Sequence, residues 1–506
     1  MKKQAIVIIH GMGEQMPMET LQGFVDAVWV HDPNLIRKER PDSTTAQSPR
    51  QNNPIWSKPD RRNRSYELRR ITTESLDGRG STDFFEFYWA HLIYGTTWEQ
   101  VKAWIFDLLW RGPSRVPPGV RTAWVILWLV SICVAVGGLL SLVPLATLRS
   151  CVFEKCILPP PSTPTIWGAI VLPICLGLLS LLVGSLVNTV LLKYFGDVAR
   201  YVKAKPLNVA RRQEIRENGV DLLETLMGRG EDGSFTESEY ERIIVVAHSL
   251  GTIVAYDVLT QCFARLNTRS SVDSKAADKV PQPERVQLER MIRGAVGFPN
   301  EPNGEGGKPV PFTIEQYHRQ QGLCRAELNE QGNPWLISDF ITLGSPLTHA
   351  EFLLARDAAH LERQKTERVF PSCPPTMEYD GTTKLRHFSY RPPGAPADKD
   401  GADFRLPHHA ALFAYTRWTN LHSPHKAILW GDIISGPLSS QFGMKADGKA
   451  VSGIHDIQVM PTSQAPKRSN WPPFFSHTKY WQMKPAEPLE EHIKLLRDVL
   501  DLKAGT

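Results

Sequence analysis

Four consecutive β-branched residues, Ile243-Ile244-Val245-Val246, run into Ala247-His248-Ser249-Leu250-Gly251 and continue at once into Thr252-Ile253-Val254-Ala255-Tyr256. A short apolar run without polar alternation fits a strand buried on both faces, and such strands belong to parallel sheets covered by helices. No loop separates this strand from the apolar residues that follow, so the chain must turn sharply from strand into helix. That corner projects the central side chain, the Ser249 hydroxyl, above the sheet. The expected fold class is therefore α/β, with a mostly parallel sheet flanked by helices.

Other segments fit the same plan. Ala5-Ile6-Val7-Ile8-Ile9 reads as a central strand broken by His10-Gly11-Met12-Gly13. It is too short for the core of an export signal. A helix is expected from about 18 to 29, a long mobile loop from His31 to about Arg64, and extended segments over Tyr66 to Thr72 and Asp83 to Trp89. A helical stretch from about 197 to 228 leads to the Ser249 strand, and Asp339 to Leu343 forms another strand, closed by Gly344-Ser345-Pro346. Arg417 to Leu421 and Ala427 to Trp430 read as the last sheet region, and a helix from about Leu489 to Leu502 ends the chain. The polar segment from about 265 to 335 reads as a cap or surface excursion.

Two further runs stand apart. Ala123 to Leu148 and Ile166 to Leu192 carry no charge, and each is long enough at about 1.5 Å per residue to cross about 30 Å of hydrocarbon. Arg111, Arg115 and Arg121 precede them and Lys193, Arg200, Lys203 and Lys205 follow, whereas the intervening loop holds only Arg149 and Lys155. A two-helix transmembrane hairpin with both outer ends in the cytoplasm is the expectation, and a pair of buried core helices is the alternative. Cys151 and Cys156 in that loop are the one cysteine pair an oxidising compartment could join. The expected divisions are residues 1–110 and 206–506 as two parts of one catalytic domain, with 111–205 as a membrane insertion.

The 506 residues suggest roughly two to four structural units. A net charge of +5, with Lys and Arg scattered among nearly as many Asp and Glu, argues against nucleic acid as a partner. The seven cysteines lack metal-ligand spacing, so neither a zinc site nor a disulfide framework is implied, and nucleophilic chemistry at Ser249 calls for no metal or organic cofactor.

The chemistry centres on Ser249. A serine hydroxyl becomes a useful nucleophile only when a base takes its proton, and an acid must orient that base. In the order Ser, acid, His, the base is expected to be His477 in Ser476-His477-Thr478, with His455 among the competing late histidines. The acid is expected to be Asp432 in Trp430-Gly431-Asp432, with Asp456 as main competitor; Asp339 and Asp257 read as strand-edge and helix residues. Acyl transfer also needs donors where charge develops on the carbonyl oxygen. The backbone N–H groups of Met12 and Leu250 are the expected pair, supported by His10, Gly11, Gly13 and Gly251; a plain tight turn is the alternative for His10 to Gly13. Ser345 precedes a proline that blocks helix entry and reads as structural.

Taken together, HGMGEQ, DFFEFYWA, AHSLGTIVAYD, ITLGSPL, RWTNL with the later GDIISGPL, and SHTKYW resemble the lipase-like α/β-hydrolases, in particular a bacterial branch with membrane-spanning insertions. The resemblance implies an α/β-hydrolase fold and a triad of Ser249, Asp432 and His477. The sequence departs from G-x-S-x-G at Ala247, and the gap between Trp418 and Asp432 is longer than the pattern. The expected function is hydrolysis of an acyl ester, with a lipid substrate suggested by the membrane hairpin and a bacterial inner-membrane location with a cytoplasmic catalytic domain. Partner binding by a catalytically weak scaffold and acyl transfer to another acceptor are the alternatives.

Overall fold

The computed structural model describes residues 2–11, 16–35, 50–60, 67–76, 80–93, 201–202, 206–272, 281–298, 309–393, 403–426, 430–446, 449–460, 476–483 and 490–503, with a few isolated residues between them. The chain forms two compact units, one of residues 1–92 with 209–506 and one of residues 93–208. All that follows belongs to the first.

Its centre is an eight-stranded mixed sheet: β1 (Lys3–Ile9), β2 (Ile55–Pro59), β3 (Arg69–Thr73), β4 (Thr82–Phe87), β5 (Tyr240–His248), β6 (Ile337–Leu343), β7 (Arg417–His422) and β8 (Ile454–Gln458), in the spatial order β8-β7-β6-β5-β1-β4-β3-β2. The ladders from β8 through β4 are parallel, and β3 and β2 join antiparallel. The central strands are apolar on both faces because helices cover both. Register decides where the site lies. Ile9 pairs with Ala247, His248 with Leu343, and Leu343 with Leu421, so the residues after β1, β5, β6 and β7 emerge together at the carboxyl edge. Side chains with reactive groups converge there in sheets of this kind.

On one face, helix α1 (Glu19–Val25), which widens into a π-turn over Asp26–Val30, and the C-terminal helix pack against Ile6, Ile8, Phe84, Ile244 and Val246. That C-terminal helix, Glu491–Leu500, buries Ile493, Leu496 and Leu500, the three- and four-residue spacing of one helical stripe. On the other side of the sheet, the helix Gly251–Val272 meets an aromatic cluster in which Phe413 stacks on Trp418 at 4.5 Å and Trp418 tilts against Phe442 at 5.2 Å.

Several expectations are corrected. Among the described residues no helix is long and apolar enough to cross a membrane, which overturns the two-helix hairpin included in the expected fold class; what stands is the eight-stranded mixed α/β sheet with its helices. The stretches 123–148 and 166–192, and Cys151 and Cys156, lie almost wholly outside the described residues. The region from 265 to 335, expected as a cap or surface excursion, contains two helices, Pro283–Val296 and Ile314–Glu330, each with buried residues. Their polar residues misled because they are buried in pairs: Arg285 Nη1 donates to Glu289 Oε2 at 2.8 Å, and the same carboxylate accepts from His387 Nδ1 at 2.7 Å and Ser389 Oγ at 2.6 Å. Burial opposes its ionisation, yet the Arg285 charge and these donors hold Glu289 below the usual carboxylate range. Ile55–Pro59 forms a strand within the expected loop because it pairs along β3, and β8 adds an edge strand after the expected last sheet region. Trp430–Gly431 pairs with His425–Lys426, in a small ribbon separate from the main sheet.

One buried acid in this frame carries a pH dependence. Glu86, on β4, accepts from the Met18 N–H at 2.7 Å through Oε2, and its Oε1 has no partner among the described residues. Burial pushes its carboxyl up from 4.5 to about 7, with the Met18 N–H opposing. The folded chain therefore binds a proton more tightly than the unfolded chain between those values. Stability from this group is complete below about pH 4.5 and falls as pH rises to about 7, by on the order of 3 kcal/mol. Urea unfolding of wild type and Glu86→Gln at about pH 5 and pH 8 reads this: the variant is expected to lose much less stability across the interval. Equal losses in both proteins would contradict the assignment.

Candidate active site

Ser249 follows β5 with φ of 53°, a left-handed backbone that non-glycine residues rarely hold and that costs on the order of 1–3 kcal/mol. The fold imposes it. The Ser249 N–H donates to the Leu343 carbonyl at 3.0 Å, and its own carbonyl accepts from the Thr252 N–H at 3.0 Å and the Thr252 hydroxyl at 2.7 Å. The strand ends and the helix begins within two residues. A Cβ on Gly251 would lie 2.6 Å from the Ile9 carbonyl oxygen and also strike that of His10, so this close approach requires glycine. Ala247 fits because it is an ordinary strand residue between Ile9 and Thr342.

Three side chains distant in sequence meet at this corner. Ser249 Oγ lies 2.8 Å from His477 Nε2, and His477 Nδ1 lies 3.0 Å from both Oδ1 and Oδ2 of Asp432. All three are almost fully buried. His477 sits on a single 3-10 turn, Ser476–Thr478, and Asp432 on the turn after Trp430–Gly431. Burial works against a charged Asp432, but the neighbouring His477 and the hydrogen bonds from His477 and Tyr480 hold its carboxyl well below the usual range. The acid is thus ionised and the base is oriented with Nε2 toward the hydroxyl, so the arrangement is able to take a proton from Ser249 and return it to a leaving group.

The rival assignments are occupied elsewhere. Asp456 accepts from Asn420 Nδ2 at 2.7 Å, the Leu438 N–H at 2.9 Å, the Ser439 N–H at 3.0 Å and the Ser439 hydroxyl. It caps the turn into Ser439–Phe442. The His455 ring lies 6.1 Å from that of His318. Ser345 caps the turn Pro346–His349, accepting from the Leu347 N–H at 3.2 Å, and this corrects the expected block to helix entry: Pro346 occupies the first position of the turn, where proline is accommodated. Asp339 pairs with Arg417 at 2.8 Å, and Asp257 with Arg216 at 2.6 Å.

Of the expected oxyanion donors, Met12 lies outside the described residues, as does Gly13 of its supporting turn. Leu250 is buried directly after Ser249, and its N–H donates no hydrogen bond among the described residues. Gly11 approaches closely, since a Cβ there would lie 2.8 Å from Ser249 Cβ. His10 braces this turn: Nδ1 donates to the Gly11 carbonyl at 2.8 Å, Nε2 accepts from the Trp89 N–H at 3.2 Å, and the ring stacks on Trp89 at 5.1 Å. Burial lowers His10 to about 4, which keeps the imidazole neutral and suited to both bonds. The helix from Gly251 also directs its positive N-terminal end at this point.

Three neighbours carried no motif of their own. His248 Nε2 donates to the His477 carbonyl at 2.7 Å, and burial, reinforced by the charge of His477, drops His248 to about 3. Tyr480 reaches Asp432 with its hydroxyl. Gly344, with φ of 60°, leaves the space that the site needs: a Cβ there would lie 2.7 Å from Tyr480 Cε2, 3.2 Å from Asp432 Oδ2 and 3.3 Å from His477 Nδ1. Gly344→Ala is therefore expected to lower kcat/KM for an ester by roughly 100-fold, the scale of a misplacement of about 1 Å. A variant that folds and keeps wild-type kcat/KM would show that this packing does not govern the site. No group of His, Cys, Asp or Glu suited to a metal occurs among the described residues.

Compared with protein families, curated proteins and solved structures, the chain gives no match.

Proposed function

We propose that this chain is a serine hydrolase, lipase-like or esterase-like, that cleaves a carboxylic ester through an acyl-enzyme on Ser249. What carries the reading is the unbroken line of contacts from Ser249 Oγ through His477 to Asp432, built on a serine held at positive φ. In the proposed reaction Ser249 Oγ attacks the carbonyl carbon while His477 Nε2 takes its proton. The same nitrogen then gives the proton to the departing alkoxide, leaving an acyl ester on Ser249. Water, deprotonated by His477, attacks that ester, and the acid leaves as Oγ recovers the proton. The Leu250 N–H and the N-terminus of its helix face the developing oxyanion.

The mechanism calls for two chemical stages, which pre-steady-state kinetics separates. With a p-nitrophenyl acyl ester, wild type is expected to release a burst of nitrophenol approaching one equivalent, followed by slower steady turnover. Turnover of short-chain esters, long-chain esters and phospholipids in one panel would define the acyl class. Absence of both burst and turnover across that panel would contradict the proposal.

A further inference from the structure

The proposed hydrolase reading leaves one buried hydroxyl beside Asp432 without a role. Tyr480 follows His477 by three residues, and the 3-10 turn that carries the imidazole brings both rings to one carboxylate. Its hydroxyl lies 2.8 Å from Asp432 Oδ2, while the Ile434 N–H donates to Oδ1 at 3.0 Å. The Ser423 N–H donates to the Tyr480 oxygen at 3.0 Å, and Ser435 Oγ lies 3.0 Å from the same oxygen. Since an ionised carboxylate only accepts, the phenol proton is directed at Asp432 and Ser435 donates to Tyr480. Burial, reinforced by the Asp432 charge, raises Tyr480 well above its ordinary value, so the phenol keeps that proton.

From this geometry we propose that Tyr480 is a positioning residue of the site: its hydroxyl fixes the plane of the Asp432 carboxylate, which in turn orients His477 toward Ser249. The equal 3.0 Å contacts from His477 Nδ1 to the two oxygens depend on that plane. Each oxygen has its own fixed donor, Ile434 on Oδ1 and Tyr480 on Oδ2, so rotation of the carboxylate breaks one bond or the other. The phenol also moderates the charge that Asp432 presents to the imidazole, because a donated hydrogen bond disperses it. Without that donor the imidazolium is held more strongly, and a base held in its protonated form is a poorer acceptor for the Ser249 proton.

The inference rests on the hydrolase reading, so Ser249→Ala serves as the control. Ester turnover surviving in Ser249→Ala defeats the parent reading and takes this inference with it. Provided that turnover is lost there, two Tyr480 variants test the inference itself, with kcat, KM and the pH profile of kcat/KM as readouts. Tyr480→Phe is expected to lower kcat about tenfold with KM within about twofold, and to move the acid limb of the profile to higher pH by roughly half a unit. Replacement of Tyr480 by 3-fluorotyrosine keeps the ring packing and makes the phenol a stronger donor, so the acid limb is expected to move to lower pH. A merely structural residue would move neither limb. Acid limbs that coincide with wild type in both variants would overturn the proposal, including the case in which Tyr480→Phe loses activity only through reduced folding.

Discussion

Replacing Ser249 by alanine is expected to lower kcat for an activated ester by about a million-fold, the loss seen when the nucleophile of a serine triad is removed outright. The size follows from geometry. Ser249 Oγ is 2.8 Å from His477 Nε2. Thr252 is tied to the Ser249 carbonyl through a bond that alanine preserves, so the fold remains. What is lost is the covalent path itself, and only water attack assisted by the oxyanion donors would remain. A stopped assay with purified wild type and variant, matched by circular dichroism, reads this loss. A decrease of less than about tenfold would show that another group performs the chemistry.

Asp432→Asn is expected to cost about 10,000-fold in kcat while leaving KM close to wild type. In wild type both carboxylate oxygens accept from His477 Nδ1, which leaves Nε2 unprotonated and facing Ser249. An amide at this position is able to turn its NH2 toward Nδ1, since the Ile434 N–H and the Tyr480 hydroxyl compete for the one oxygen that remains. The imidazole then carries its proton on Nε2 and cannot accept one from the serine. Asp456→Asn is the comparison. Its carboxylate caps the turn at Ser439, so its loss is expected to lower stability by about 1 kcal/mol and to spare the chemistry. An Asp456→Asn defect in kcat as large as that of Asp432→Asn would reverse the assignment of the acid.

The three residues that meet at the corner were legible in the sequence for different reasons. Ser249 is marked locally, because a buried strand passing straight into a helix around a serine is a distinctive pattern. His477 and Asp432 were legible only as an order along the chain, and Asp456 satisfied that order as well. What separates the two acids is tertiary: β8 carries Asp456 beside Asn420 of β7, at the mouth of a turn whose amides claim both its oxygens. Gly344 and Tyr480 lay in plain view within GSP and HTKYW. Their part depends on which loops the sheet order brings together, and no local pattern encodes that.

The larger corrections share a cause. Hydropathy treats each residue alone, so the helices holding Arg285, Glu289, Gln321 and Glu327 read as surface although those side chains are buried. Their partners lie far away in sequence, as when Gln321 Nε2 donates to the Phe413 and Thr416 carbonyls at 2.7 and 2.9 Å. The expectation of a membrane hairpin came from the same one-residue measure. Among the described residues it is replaced by the absence of any helix long and apolar enough to span a bilayer. The lipid substrate was suggested by that hairpin, whereas the proposal of an ester rests on the site alone.

The central claim is that Ser249 is the nucleophile, and an active-site-directed fluorophosphonate tests it most directly. Wild type incubated with the probe, digested and mapped by mass spectrometry is expected to carry one phosphonyl group on Ser249, with none appearing in His477→Ala on the same timescale. A phosphonyl group on any other residue, or an unmodified Ser249 in folded wild type, would contradict the account.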